Sequence, residues 1–164
     1  MTSFFKLQKT SSRLFLICPT WHLEQKLRQE FGENSYFMTA LAGLFSFDDA
    51  QLLEISSLIK EGKIDKICLV ANPNCRFITN IFSPDKFHNT ATEDLLARIY
   101  HKKYDSLNSM NSLEDKKKAL ALYKSEMQLA LLKRNPIISN LINHHTIDIS
   151  IIINHQNVKS EKAI

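Results

Sequence analysis

Apolar residues fall along this chain in two rhythms. Three short stretches are almost continuously apolar: residues 14–18, stopped by Pro19; residues 67–71, stopped by Asn72-Pro73; and residues 147–153, rich in isoleucine. Runs of that length without strict alternation predict strands covered on both faces, as in a parallel sheet flanked by helices. Residues 35–39 predict a weaker fourth strand. Between these runs the spacing turns helical. Residues 22–31 close on Gly32, a C-terminal stop. Behind Asp48 or Asp49 as a cap, Leu52, Leu53, Ile55, Leu58 and Ile59 recur at helical spacing and end at Gly62. Residues 92–104 begin with Thr92-Glu93-Asp94, acids where the helix dipole favours them. Residues 113–133 predict a long amphipathic helix, and Asn135-Pro136 starts a short one over 137–142. Residues 105–114, with Asn108, Ser109, Asn111 and Ser112, predict a flexible loop. Strands alternating with helices predict an α/β fold: a mostly parallel central sheet of about four to five strands, built from right-handed crossovers and flanked by helices.

Size and charge narrow the class. At 164 residues, 1–164 reads as a single domain with room for a substantial core. No apolar run approaches the roughly 20 residues needed to cross a bilayer, so no membrane partner is expected. The first 23 residues lack acids and carry Lys6, Lys9 and Arg13. They resemble a targeting leader, but the apolar stretch is short and no small-residue cleavage site follows, so they read as mature protein. Three cysteines (Cys18, Cys68 and Cys75) are too few and too odd for a disulfide scaffold, which points to a reducing compartment, the cytoplasm. Net charge is +4, and residues 98–134 concentrate it, with nine Lys or Arg against four acids. Without interleaved aromatics or a recognised motif this reads as a solvated helix face, and nucleic acid is not the expected partner.

In doubly wound sheets ligands collect at the carboxyl ends of the strands. Cys18 ends the first strand and Cys75 lies just past the strand at 67–71, whereas Cys68 is mid-strand packing. His144-His145 falls in the turn before the strand at 147–153 and His155 after it, while His88 and His101 have no partner at ligand spacing. The three glycines (Gly32, Gly43 and Gly62) are too far apart for a phosphate-cradling loop.

The placement of the two strand-end cysteines resembles the β-type carbonic anhydrases. That family's first strand ends in Cys-x-Asp-x-Arg, where this chain has Cys18-Pro19-Thr20-Trp21-His22. Its second strand runs into Arg-Asn-Ala-Gly, where Ala40-Leu41-Ala42-Gly43 keeps only the last two residues. Its third enters Gly-His-x-x-Cys-Gly, where this chain reads Ala71-Asn72-Pro73-Asn74-Cys75-Arg76. Leu131 to Ile138, a short helix and a closing strand match the family's end, so the resemblance spans roughly residues 12–158. It implies a zinc site on Cys18 and Cys75, with Asn72 at the position of the family's histidine ligand. Thr20 and His22 stand at the Asp and Arg positions of the dyad that gates the open zinc position, so no catalytic residue is carried over. An amide oxygen is a poor zinc ligand beside thiolate or imidazole. His22, a turn beyond Cys18, could swing in as a third ligand, or serve only as a helix-start residue. The resemblance therefore implies a divergent carbonic-anhydrase-like protein with weak or absent hydration of carbon dioxide or bicarbonate dehydration, zinc-binding through two retained cysteines and paired as a homodimer. A non-catalytic scaffold or binding module on the same fold is the alternative.

Overall fold

The computed structural model describes residues 11–86 and 88–154, and the backbone of 159–163. Among these residues five strands form one sheet: β1 (Arg13–Ile17), β2 (Ser35–Thr39), β3 (Lys66–Ala71), β4 (Asp148–Asn154) and β5 (Lys159–Ala163). Their order is β2-β1-β3-β4-β5. The first four run parallel, and β5 pairs antiparallel with β4 at the edge. The three apolar runs are therefore neighbours in the middle of the sheet, with Leu14 beside Ile67 and Leu69 beside Ile151.

Among the described residues seven helices fill the crossovers: α1 (Leu23–Phe31), α2 (Asp49–Lys60), α3 (Arg76–Ile81), α4 (Ala91–Lys102), α5 (Tyr104–Asn108), α6 (Leu113–Arg134) and α7 (Pro136–His145). Their starts are capped as the side chains allow. Asp48 accepts from the Gln51 N–H at 3.0 Å, Thr90 and Glu93 close a capping box on α4, and Asn135 accepts from Ile137 and Ile138 ahead of Pro136.

Two expectations need correction. Residues 105–108 belong to α5 rather than to a loop, because Leu107 is buried and anchors that turn. The helix after Asn135 runs past 142 to His145, so His144 and His145 occupy its last turn rather than the connection to β4; both are exposed. His155 lies outside the described residues.

Successive strand residues point to opposite faces. Leu14, Leu16 and Cys18 join the larger core with Ile67, Leu69, Ile55, Leu96, Leu120 and Leu132. Phe15, Ile17, Cys68 and Val70 face the other way, against Leu23 and Leu27 of α1. This alternation decides which cysteines can meet. Cys18 and Cys75 lie on the larger-core face, and Cys68 is on the opposite face, where Ser150 donates to its sulfur at 3.8 Å.

Candidate functional site: a thiol pair at the strand ends

Cys18 follows the last residue of β1, and Pro19 turns the chain into a short 3-10 turn, Pro19–Trp21. His22 ends that turn in the left-handed region (φ 45°) before α1 begins. Past β3, the Asn72 side chain accepts from the Asn74 N–H at 3.1 Å, while the Asn72 carbonyl accepts from the Cys75 N–H at 3.1 Å. This Asx turn delivers Cys75 to the start of α3. The two sulfurs end 3.5 Å apart, both in buried residues. The Thr20 hydroxyl, in an exposed residue, sits 3.2 Å from the Cys18 sulfur and 3.9 Å from that of Cys75.

Electrostatics separate the two thiols. The Cys75 S–H points at Cys18 and is the largest influence lowering the Cys18 pKa to about 5; burial opposes it, and the Thr20 hydroxyl and the Thr20 and Ala42 backbone N–H groups assist. Cys75, as the donor to Cys18 and the more deeply buried of the two, is pushed far above the ordinary thiol range. The pair thus sheds its first proton readily and holds the second.

A third charged group faces this pair, and it was not singled out in the sequence. Lys124, on α6, is buried; its ammonium donates to the Ala42 carbonyl at 3.0 Å. Burial lowers its pKa, and the fields of Cys75 and Cys18 pull the other way. One turn on, Gln128 is also buried and accepts from the Phe45 N–H at 2.9 Å. Together they clamp the turn Leu41–Gly43 below the sulfurs. Gly43 sits at φ 64°, a left-handed conformation that favours glycine, and a Cβ there would also lie 2.8 Å from the end of the Lys124 side chain, which would have to shift. The signal lay in spacing: Lys124 and Gln128 continue the stripe of Leu120, Ala121 and Leu132 around α6, polar residues at core positions.

The other candidate residues are placed as follows. Asn72 is buried, and its amide oxygen is engaged by Asn74 and, at 3.4 Å, by the Asn154 amide; its own Nδ2 finds no hydrogen-bond partner among the described residues. His22 is exposed. Among the described residues no group of three or more His, Cys, Asp or Glu side chains is arranged to hold a metal ion. Zinc bound to two thiolates at about 2.3 Å each would hold their sulfurs about 3.8 Å apart in tetrahedral geometry, so the sulfur half of a zinc site fits the 3.5 Å spacing. The remainder does not fit. The amide at 72 is engaged elsewhere and among the described residues no third thiolate or imidazole meets the sulfurs, so the residues supply two zinc ligands and no open-position centre.

No protein-family model matches the sequence, and no curated protein matches it either. Solved structures do. The β-carbonic anhydrase CafD of Aspergillus fumigatus superposes with a TM-score of 0.76 at 11% identity, covering 99% of this chain and 95% of that one. This chain has the β-carbonic anhydrase fold. A tetrameric β-carbonic anhydrase from Sordaria macrospora gives a TM-score of 0.72 at 13% identity, over 92% of this chain and 83% of its own. Coccomyxa β-carbonic anhydrase, solved with acetazolamide, gives 0.69 at 14% identity, over 94% and 72%. Among the described residues no helix is long and apolar enough to cross a membrane.

Proposed function

We propose that this protein keeps the β-carbonic anhydrase fold with carbon dioxide hydration weak or absent, and uses its strand-end cleft as a buried thiol site rather than as a working zinc hydratase. The donor set carries this reading: two thiols in contact, an engaged amide at residue 72, and the hydroxyl of Thr20 and the exposed His22 at the dyad positions. Hydratase chemistry needs metal-bound water whose pKa falls to about 7, held by three protein ligands with one position open. Two thiolates would hold zinc without building that position. Assembly into pairs or larger rings, as in the tetrameric Sordaria enzymes, and a cytoplasmic setting in which three free cysteines persist belong to the same proposal.

The test is stopped-flow proton release on the zinc-supplemented protein, with bound metal counted by mass spectrometry. The expected result is less than one zinc per chain and hydration far below an efficient zinc hydratase. A turnover approaching ~10⁶ per second, with one tightly held zinc, would refute the proposal.

A further inference from the structure

Two thiols in contact inside a protein are placed to react with one another. Cys18 and Cys75 are 3.5 Å apart, while a disulfide requires about 2.05 Å, so a movement of about 1.5 Å separates the two states. The flanking backbone is suited to supply it. Cys18 opens the turn Pro19–Trp21, and Cys75 follows the Asx turn at Asn72, so both sit at strand-end turns rather than inside the hydrogen-bonded ladder. Cys68 cannot compete, since it faces the opposite side of the sheet.

Access is narrow. Cys18 is 6% exposed and Cys75 2%, with the exposed Thr20 beside both. Burial of both sulfurs disfavours attack by a bulky disulfide, and the exposed Thr20 hydroxyl, 3.2 Å from the Cys18 sulfur, marks the side from which a molecule as small as a hydroperoxide would approach. We propose that Cys18 and Cys75 form a peroxide-oxidisable dithiol that closes to an intramolecular disulfide, a reading that rests on the pair carrying no resident zinc. The Cys18 thiolate attacks one peroxide oxygen; the O–O bond breaks, an S–O bond forms, and the departing hydroxide takes a proton from solvent, where the Cys18 proton went, and leaves as water. The Cys75 sulfur then attacks Cys18, the S–S bond forms, and the hydroxyl of the sulfenic acid leaves as a second water with the Cys75 proton. Two thiols lose two electrons, and one peroxide becomes two waters.

The full chain is first treated with a chelator and its metal counted. Should zinc copurify at one per chain, the preceding proposal fails and takes the premise of this one with it, whereas metal-free protein that forms no cross-link overturns this one alone. Hydrogen peroxide is then added and removed, the protein is unfolded in denaturant, free thiols are alkylated, and peptides are mapped by mass spectrometry. The expected result is a Cys18–Cys75 cross-link with loss of two hydrogens from the intact mass, reversed by dithiothreitol, with Cys68 still alkylated. Cys75→Ser stalls as a sulfenic acid on Cys18 that dimedone added with the denaturant traps, Cys18→Ser loses both products, and Cys68→Ser closes as the parent does. The proposal is overturned if the parent keeps both thiols alkylatable, if Cys18 passes to sulfinic acid without the cross-link, or if the cross-links join separate chains. The parent carries the deciding readout, so a variant that fails to fold leaves the test intact.

Discussion

One proton between two sulfurs is the smallest unit of chemistry here, and its position has measurable consequences. With the Cys75 S–H aimed at it, Cys18 ionises near 5, whereas an ordinary thiol does so at about 8.5. Thiolate ultraviolet absorbance should therefore show one thiol titrating near pH 5 in the folded protein. Cys75→Ala deletes the leading donor, and the Cys18 midpoint should climb toward the ordinary value; a midpoint still near 5 would assign the effect to Thr20 and the backbone instead. Stability follows by linkage. The folded pKa of Cys18 lies below its unfolded value, so it contributes stability that is present above about pH 8.5 and lost as pH falls through 5. Cys75 is shifted the other way: above about pH 8.5 only its unfolded form ionises, which favours unfolding. The pair's contribution should peak near that value, and urea midpoints from pH 5 to 10 compared with the Cys18→Ser, Cys75→Ser double variant would reveal it.

At the scale of elements, α6 ties the site to the core. Its buried stripe carries Lys124 and Gln128 inward to the turn Leu41–Gly43 and to Phe45, residues far away in sequence. Replacing Gln128→Leu leaves the Phe45 N–H buried without its acceptor, which should cost about 1–3 kcal/mol in urea unfolding. Gln128→Glu retains an acceptor and should lose less of this contact; equal losses would place the cost in packing. The three central strands were readable in advance because a continuous apolar run has few other uses, whereas the polar edge strand β5 was not. The inward face of α6 was not, since a lysine in a basic stretch reads as solvated until the opposing turn supplies a carbonyl to meet it. Leu107 was hidden for a related reason: a single apolar residue among Asp105, Ser106, Asn108 and Ser109 has no period, and only the packing of α5 on the core turns it into an anchor. The meeting of Cys18 and Cys75 could be foreseen from strand-end placement alone, but the aim of their hydrogen bond and the buried lysine on the neighbouring turn could not.

At the scale of the whole molecule, a backbone matching the β-carbonic anhydrases at 11–14% identity carries only part of the donor set that zinc hydratases require. Fold and site answer to different constraints: the core needs apolar volume at alternating positions, whereas a metal centre needs particular atoms in particular places. That separation can be tested by restoring one ligand. Asn72→His puts imidazole three residues before Cys75, beside the sulfur pair already spaced for zinc. Without metal the variant should be less stable than its parent by about 1 kcal/mol, because the Asn74 N–H loses its side-chain acceptor. With zinc at a hundredfold above its dissociation constant, a site present only in the folded state adds about 2.7 kcal/mol, more than enough to reverse the deficit. The expected outcome is a zinc-dependent rise in melting temperature larger in Asn72→His than in the parent. If the parent already shows the full rise and His22→Ala removes it, His22 is the native third ligand and the thiol-site proposal falls. If neither protein responds, the cleft no longer accepts zinc even with imidazole restored, and the obstacle lies in the ammonium of Lys124. Lys124→Met in the Asn72→His background should then recover the zinc response.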